Sequence, residues 1–296
     1  MKKTHKGRIL DIKDGVSVID CSTCGFKHVQ PLPSASELSE LYEKDFFSKE
    51  KPNYIKNIKA DFLWWQATYD NYYSLLEKQT HGRKLLDVGS GTGDFLACGK
   101  KRGWQVLGIE PSVVAAKYAR SRKLPVVNDF FSSEALKERG PFDVVHAALV
   151  LEHVPDPAGF INDMKKLLTP KGLLAISCPN DYNPLQEILR QKMKFRPWWI
   201  VTRHHLNYFD AFSMKKLLIR LGLKPVELIG SFPMEFFLLS GVNYVGNDEV
   251  GRKCQKIRKT FELNMYKAAP ETLNAVYSAL LEQNIARSFF IIAQNK

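Results

Sequence analysis

Residues 84–93, KLLDVGSGTG, combine an acidic side chain with alternating glycines in a pattern suited to holding a cofactor. An apolar run reaches Asp87 and then breaks at Gly89, Gly91 and Gly93, which predicts a strand, a tight loop and a helix. Without a Cβ, glycine lets the backbone approach a ligand closely, at a helix start where N–H groups are free. The segment therefore predicts a cofactor-binding loop.

A second acidic residue, Glu110, follows the next predicted strand. It lies 19 residues after Gly91, close to the offset of roughly 20 at which an acidic side chain meets a ribose hydroxyl. Asp87 and Asp94 flank the loop, and their carboxylates would repel the pyrophosphate of a dinucleotide. S-adenosylmethionine has no phosphate and carries a cationic amino group and a sulfonium, so the charges favour this cofactor.

Four segments in order, LLDVGSGTGDF, GIEPS, VVNDF and FDVVHAALVLEHVPDP, resemble the motifs of class I S-adenosylmethionine-dependent methyltransferases over residues 83–180. The resemblance implies a doubly wound α/β fold with a seven-stranded, mostly parallel sheet whose last strand is antiparallel. It also implies that Asp87 and the glycines hold the methionine part, Glu110 the ribose, and Asp129 with Phe130 the adenine. The residues expected at the cofactor are Asp87, Gly89, Ser90, Gly91, Gly93, Glu110, Pro111, Asp129, Phe130, Leu149 and Glu152.

Composition limits the class of protein. The chain has 296 residues, 45% of them hydrophobic, which is ample for a core. We expect a soluble cytoplasmic protein, because no apolar run has membrane-spanning length and five unevenly spaced cysteines form no disulfide framework. A formal net charge of +12 favours an anionic partner. Nothing in the sequence indicates an oligomeric state.

The N-terminal part, residues 1–35, is expected to form a small β-hairpin with the segment Cys21-Ser22-Thr23-Cys24-Gly25. Methyltransferases of sugar and natural-product pathways, which this chain resembles, often begin with such a segment. A structural zinc ion needs four ligands, and only Cys21 and Cys24 have ligand spacing. His5 and His28 could complete a site, but we expect no metal.

Residues 36–80 are expected to form a helical cover. An aromatic stripe at three- and four-residue spacing in residues 60–78 predicts a helix packed on the core. Exposed aromatic residues elsewhere in this segment could form a lid over the sulfonium, since aromatic faces attract cations. Its candidates are Tyr42, Phe46, Phe47 and Tyr54.

Residues 81–230 should form the methyltransferase core, with a long insertion at 181–210, and residues 231–296 a two-helix cap followed by the last strand. Glu152 and His153 follow the fourth predicted strand, at the edge where ligands bind in open α/β sheets. A lone histidine is more often structural than reactive, and for His153 both interpretations stay open. Long loops in compact domains are usually functional, so the insertion is expected to cover the acceptor.

The insertion carries both candidates for proton transfer and candidates for acceptor binding. His204 and His205 are the preferred general bases, with His153 as a third, because histidine accepts protons near neutral pH. A hydrogen-bonded structural pair is the competing interpretation. The basic and aromatic mixture indicates an anionic acceptor or, alternatively, a membrane surface. The residues expected to contact the acceptor are Arg196, Trp198, Trp199, Arg203 and Tyr208.

The acceptor is predicted to be a small molecule or glycan, specifically a phosphorylated, nucleotide-linked or lipid-linked sugar. A quinone or lipid precursor and RNA are the alternatives. Nucleic acid is not expected, because Ala147-Ala148-Leu149 replaces the Asn/Asp-Pro-Pro-aromatic motif of exocyclic-amine methyltransferases. A non-catalytic domain that kept the fold is disfavoured by the complete cofactor motif. The sequence does not distinguish oxygen, carbon or nitrogen as the nucleophile.

Overall fold

Two β-sheets organise the computed structural model, which describes residues 5–33, 60–202 and 204–296. Most strands are short apolar runs bounded by turn residues, as the sequence pattern predicts. The strands are β1 (Gly7–Lys13), β2 (Val16–Cys21), β3 (Phe26–Gln30), β4 (Lys84–Val88), β5 (Gln105–Ile109), β6 (Val126–Val127), β7 (Phe142–Ala148), β8 (Leu168–Pro179), β9 (Asn207–Tyr208), β10 (Leu223–Gly230) and β11 (Ser288–Asn295).

The larger sheet has seven strands in the order β6-β5-β4-β7-β8-β11-β10. Strands β4 to β8 pair in parallel, and β11 runs antiparallel between β8 and β10. The order reverses between β4 and β7, and ligands bind at such a switch point, beyond the carboxyl ends of the strands. The predicted doubly wound class I methyltransferase fold is confirmed, including the antiparallel last strand.

Helices cover both faces of this sheet. Most begin at a residue whose side chain accepts a backbone N–H, such as Ser112, Asn183 and Asp210. The helices are α1 (Phe62–Gln79), α2 (Asp94–Lys101), α3 (Val113–Ser121), α4 (Ser133–Leu136), α5 (Pro157–Lys166), α6 (Pro184–Met193), α7 (Ala211–Arg220), α8 (Glu235–Leu239), α9 (Asp248–Ala268) and α10 (Pro270–Glu282). None of these helices has the length and apolar character needed to cross a bilayer.

The aromatic stripe of α1 packs on the large sheet, as its spacing predicts. Tyr73 is fully buried, and Tyr72 stacks on Phe290 of β11 at a centroid distance of 4.0 Å. The helix therefore belongs to the core. The lid candidates Tyr42, Phe46, Phe47 and Tyr54 lie outside the described residues.

The C-terminal cap packs on α1 around one buried carboxylate. Glu262 of α9 accepts hydrogen bonds from Trp64 Nε1 at 2.5 Å and from the Tyr277 hydroxyl at 2.6 Å, and Arg258 pairs with it at 3.1 Å. A buried charge is tolerated when it is paired and hydrogen-bonded in this way. The cap contains the short helix α8 in addition to the two expected helices, α9 and α10.

The smaller sheet joins the N-terminal segment to the insertion. Its strand order is β1-β2-β3-β9. The N-terminal segment therefore contributes three strands and not the two of the predicted hairpin. Strand β9 comes from the insertion and pairs antiparallel with β3, with Lys27 opposite Tyr208 and His28 opposite Asn207. A hydrophobic cluster fills the space behind it: Val18, Val29, Tyr182, Trp199, Ile200, Leu206 and Tyr208.

Candidate functional site

The glycine loop after β4 curls over the end of β5. Gly89 has a φ of +71°, and a Cβ on it would lie 2.7 Å from Val150 Cγ2, so only glycine fits there. The N–H groups of Gly89 and Ser90 both donate to the Ile109 carbonyl, at 2.9 and 3.2 Å. Gly93 N donates to Ser90 O at 2.9 Å. These N–H groups are used inside the protein and are therefore not free to hold phosphate.

Glu110 is fixed against this loop. Its carboxylate accepts hydrogen bonds from Gly91 N at 2.8 Å and Ser112 N at 2.9 Å, and the residue is 5% exposed. Burial raises the pKa of Glu110, although the two backbone N–H bonds favour its charged form. A carboxylate has about four lone-pair sites, so about two remain for ribose hydroxyls. The residue therefore fits its predicted role.

Asp87 has a partner that the sequence did not predict. Its Oδ1 lies 2.7 Å from Nδ1 of His146 on β7, and both residues are 2% exposed. Phe95 stacks on the His146 ring at 3.9 Å. In the sequence, His146 is visible only as a single histidine in the apolar run of β7. Its contact with Asp87 follows from the register of β4 and β7, in which the two residues lie opposite each other.

The remaining predicted cofactor residues occupy different environments. Asp129 and Phe130 are exposed beyond β6, where Asp129 Oδ1 accepts from Phe130 N at 2.7 Å. Asn128 Nδ2 donates to the carbonyls of Glu110 at 2.9 Å and Pro111 at 3.0 Å, which ties the ends of β5 and β6 together.

The Ser90 side chain is buried. A Cβ on Gly108 would meet Ser90 Oγ at 2.6 Å, so this hydroxyl packs against β5 inside the protein. Ser90 as a cofactor contact stays a prediction. We call residues 87–93, 110–112 and 128–130 the glycine edge.

Beyond β7 the backbone is strained. Leu149 has a φ of +55° and is 48% exposed, and such a conformation is rare for a bulky residue and clusters at functional sites. Its N–H donates to Ser177 O at 2.9 Å. Val150 then contacts the glycine loop, and Glu152 is 2% exposed with its carbonyl accepting from Leu206 N at 2.7 Å. This turn therefore links the glycine edge to the insertion.

Three histidines that are far apart in sequence meet beside this turn. His153 Nδ1 lies 2.8 Å from the His204 carbonyl oxygen. The His153 ring is 5.0 Å from that of His205 and 5.7 Å from that of His204, and the two neighbours are 5.0 Å apart. Glu152, His153 and His205 also bring ligand atoms within 4.8 Å of one another. All three predicted base candidates therefore lie in one cluster.

Asn207 fastens this cluster to the end of β7. It is 2% exposed, and its Nδ2 donates to the carbonyls of Leu151 at 2.9 Å and Val154 at 2.7 Å. Sequence reasoning missed Asn207, because its partners lie more than 50 residues away along the chain. We call residues 149–154, 180–202 and 204–210 the histidine side.

Two of the predicted acceptor contacts have structural positions instead. Trp199 is 3% exposed and Tyr208 is fully buried, both in the cluster behind the small sheet, and Val201 N donates to the Tyr208 hydroxyl at 3.1 Å. Neither ring has an open face for a sugar. Arg196 is exposed and Trp198 is half-buried, while Arg203 lies outside the described residues.

The basic residues of the insertion are also partly engaged in contacts within the protein. Nη1 and Nη2 of Arg190 donate to the Asp11 carboxylate, at 2.9 and 2.8 Å, so this residue anchors β1 to α6. A bidentate arginine pair is geometrically specific and leaves little capacity for phosphate. Lys192, Lys194 and Arg196 remain exposed.

A buried charged group lies at the base of the insertion. Asp181 Oδ1 is 3.3 Å from Arg287 Nη1, and Glu235 of the cap is 3.8 Å from the same nitrogen. Gln186 Nε2 donates to Glu235 Oε1 at 3.2 Å. Burial raises the pKa of Asp181 to about 6. The histidine side therefore holds a carboxylate with a reduced preference for its charged form.

Comparisons with known proteins agree with this architecture. Residues 65–228 match a family described as methyltransferase domain. The ubiquinone biosynthesis O-methyltransferase of Actinobacillus pleuropneumoniae serotype 7 is 38% identical over 109 residues, 33% of this chain and 47% of the relative. The protein of that name from Psychrobacter arcticus is 30% identical over 165 residues, 50% of this chain and 62% of the relative. The chain thus spans about half the length of the curated relatives it matches.

Solved structures share the fold at low sequence identity. Magnesium protoporphyrin IX methyltransferase from Synechocystis PCC 6803, determined with SAH bound, has a TM-score of 0.53 at 14% identity, covering 86% of this chain and 98% of that one. A plantazolicin methyltransferase in complex with SAH has a TM-score of 0.52 at 13% identity, covering 88% and 95%. At such identities the likeness concerns the fold alone.

Proposed function

Because the chain belongs to the methyltransferase-domain family, we propose that it is an S-adenosylmethionine-dependent O-methyltransferase acting on a small molecule. The observation that carries the proposal is the histidine cluster, His153, His204 and His205, joined to the glycine loop by the turn that contains Val150. A hydroxyl acceptor must lose a proton when it is methylated. A histidine base beside the donor site meets that need.

The glycine edge suits this cofactor better than a dinucleotide. The N–H groups of Gly89 and Ser90 are bonded to the Ile109 carbonyl, and that of Gly91 to the Glu110 carboxylate. A phosphate held by backbone amides would compete for these same donors. Glu110 keeps acceptor capacity for a ribose, and the buried Asp87 puts a carboxylate near the start of the loop.

The chain's own contribution is to place the reactants and to take the proton. When bound, S-adenosylmethionine supplies a methyl group on a sulfonium, which needs no further activation. Holding donor and acceptor in line can lower the barrier by roughly 7–11 kcal/mol. A positioned general base adds about 10²- to 10⁴-fold in rate. The strained turn at Leu149 and the bonds of Asn207 fix the histidines relative to the glycine loop.

Two acceptor classes have support from different observations. The curated relatives are named ubiquinone biosynthesis O-methyltransferases, which favours a hydroxyl on a quinone precursor. The exposed Lys192, Lys194 and Arg196 favour a phosphorylated, nucleotide-linked or lipid-linked sugar. We place the quinone precursor first, because Trp199 and Tyr208, which a sugar phosphate was expected to contact, have structural roles.

Transfer of a labelled methyl group tests the proposal directly. The panel contains quinone precursors, nucleotide sugars, phosphosugars, lipid-linked glycans and RNA, each with and without added Mg²⁺ because Glu152, His153 and His205 could hold a cation. We expect turnover of a hydroxyl compound that does not depend on added Mg²⁺. Methylation of RNA alone, or absence of SAH binding, would overturn the proposal.

Histidine variants test the base. His153→Gln, His204→Gln and His205→Gln are compared with His81→Gln, an exposed histidine before β4. We expect at least one cluster variant to lose about 10²- to 10⁴-fold in kcat while its SAH affinity stays unchanged. Wild-type turnover in all three variants across the pH range would rule out the histidine base.

A further inference from the structure

The N-terminal sheet brings together four side chains that bind metals. His5 precedes β1, Cys21 ends β2, Cys24 lies in the following turn, and His28 lies in β3. One ligand atom from each lies within 4.8 Å of the others. The sequence offered only two cysteines at ligand spacing, whereas pairing of β1, β2 and β3 adds both histidines.

The distances match a tetrahedral site. His5 Nδ1 lies 3.3 Å from Cys24 Sγ and 3.7 Å from Cys21 Sγ. Zinc bonds of about 2.3 Å to sulfur and about 2.0–2.1 Å to nitrogen give a sulfur-to-nitrogen edge of about 3.6 Å in a tetrahedron. The His5 and His28 rings are perpendicular, with centroids 4.7 Å apart. One ion at the centre could therefore reach both rings and both sulfurs with small adjustments.

His28 shows which of its nitrogens would face the ion. The residue is 3% exposed, and Nδ1 lies 2.8 Å from the Val29 carbonyl oxygen. Nε2 is buried and has no hydrogen-bond partner among the described residues. Leaving such a group unsatisfied costs about 1–3 kcal/mol. Metal-binding histidines usually donate their other N–H to a carbonyl, and His28 has that arrangement.

The turn between β2 and β3 holds the sulfurs on one side. Gly25 has a φ of +79° and donates its N–H to Cys21 O at 2.8 Å, while Cys24 N donates to Cys21 Sγ at 3.4 Å. Arg220 Nη2 donates to Cys24 O at 2.9 Å and fixes the turn to α7. Two thiolates and two neutral imidazoles would neutralise a divalent ion, so the site could be buried without net charge.

We propose that His5, Cys21, Cys24 and His28 bind one structural zinc ion. A set of two thiolates and two imidazoles in tetrahedral reach is typical of zinc, and four protein ligands leave no open position for catalysis. The ion would tie the segment before β1 to β2 and β3.

The proposed site supports the histidine side through the sheet. His28 pairs with Asn207 across β3 and β9, and Val29 N donates to Leu206 O at 2.8 Å. Asn207 in turn donates hydrogen bonds to the carbonyls of Leu151 and Val154. The zinc ion is therefore connected to the histidine cluster by one strand pairing, and losing it should disturb this side more than the glycine edge.

Metal analysis of the untagged full chain, purified under reducing conditions and dialysed, tests the proposal. We expect about one zinc ion per chain. Replacement by Co²⁺ should give the absorption of a tetrahedral site with thiolate charge-transfer bands. These two measurements need no variant. Failure of the dialysed protein to hold or take up either ion, or a Cys21–Cys24 disulfide under reducing conditions, would overturn the proposal.

Variants locate the ion. Cys24→Ser and His28→Gln should reduce bound zinc at least about tenfold, whereas Cys254→Ser and His153→Gln should keep it. The His153 variant excludes the second cluster, at Glu152 and His205, as the source of the metal. Retention of zinc in the His28 variant together with loss in the His153 variant would overturn the assignment.

Discussion

The glycine edge and the histidine side meet at Val150 but are built in opposite ways. The glycine edge comes from three strand ends within about 45 residues of chain, and its contacts join the loop after β4 to its neighbours β5 and β6. The histidine side joins the turn after β7 of the large sheet to Asn207 of β9, which pairs with β3 in the small sheet. Local segments thus build the glycine edge, whereas segments distant in sequence build the histidine side.

The buried carboxylates of the two regions have different partners, and this difference makes the stability contributed by Asp181 depend on pH. Glu110 is compensated by two backbone N–H groups, whereas Asp181 shares Arg287 with Glu235. The pKa of Asp181 rises from 3.8 to about 6 on folding, so the native state binds the proton more tightly than the unfolded chain. Asp181 therefore contributes stability at low pH that is lost as the pH rises from about 4 to 6.

Asp181→Asn isolates that contribution, because asparagine does not titrate. Between pH 4 and pH 7 the free energy of unfolding of the variant should gain about 2 kcal/mol relative to wild type. Urea denaturation at both pH values measures this change. A constant difference between the two proteins would show that burial does not perturb Asp181.

Removing the carboxylate of the glycine edge tests the donor site. Glu110→Ala leaves the ribose without its acceptor, and SAH affinity should fall about 10- to 100-fold, on the scale of a charged hydrogen bond of about 1.5–3 kcal/mol. Calorimetry measures the affinity, with the exposed Glu138→Ala as control. Unchanged affinity in the Glu110 variant would contradict the assignment of this site.

Two matched asparagines provide the sharpest comparison. Asn128 on the glycine edge and Asn207 on the histidine side each donate Nδ2 to two backbone carbonyls. Each Asn→Leu change should lower the free energy of unfolding by about 1–3 kcal/mol, because two backbone carbonyls lose their hydrogen-bond donor. Asn128→Leu should weaken SAH binding, whereas Asn207→Leu should lower kcat or raise the acceptor KM at unchanged SAH affinity. Equal effects of both variants on SAH affinity would remove the distinction between the regions.

The smallest effect is expected where the regions meet. Leu149→Gly relieves a left-handed conformation that costs roughly 1–2 kcal/mol, offset by about 0.5–1 kcal/mol of added chain entropy. The variant should therefore be more stable by up to about 1.5 kcal/mol, yet slower in turnover. Thermal unfolding and kcat together test whether the strain is functional. A variant that is more stable and equally active would show that it is not.

The signals for the glycine edge are local. The glycine spacing and the position of Glu110 after the second strand are short-range patterns, and the structure places Glu110 against the loop. The seven-strand fold, which the family resemblance implied, is confirmed. The histidine cluster was predicted residue by residue, but its geometry was not. His153 and His204 are joined by a bond that spans 51 residues.

The errors concern aromatic residues and the small sheet. Trp199 and Tyr208 are aromatic in a basic loop, which suggests a ligand surface, yet they are buried because β9 completes the N-terminal sheet. A two-residue strand has no sequence signature of its own. His146 and Asn207 were missed for the same reason, since burial and long-range pairing give them their partners.

The position of β11 has a consequence for biosynthesis. This strand follows every other described element in the chain, yet it lies inside the large sheet, between β8 and β10. While the polypeptide emerges from the ribosome, β8 and β10 cannot pair with each other and both present unpaired edges. Such edges are prone to aggregation during folding. The large sheet is therefore complete only once Phe289–Ala293, all buried in the finished sheet, have inserted between β8 and β10.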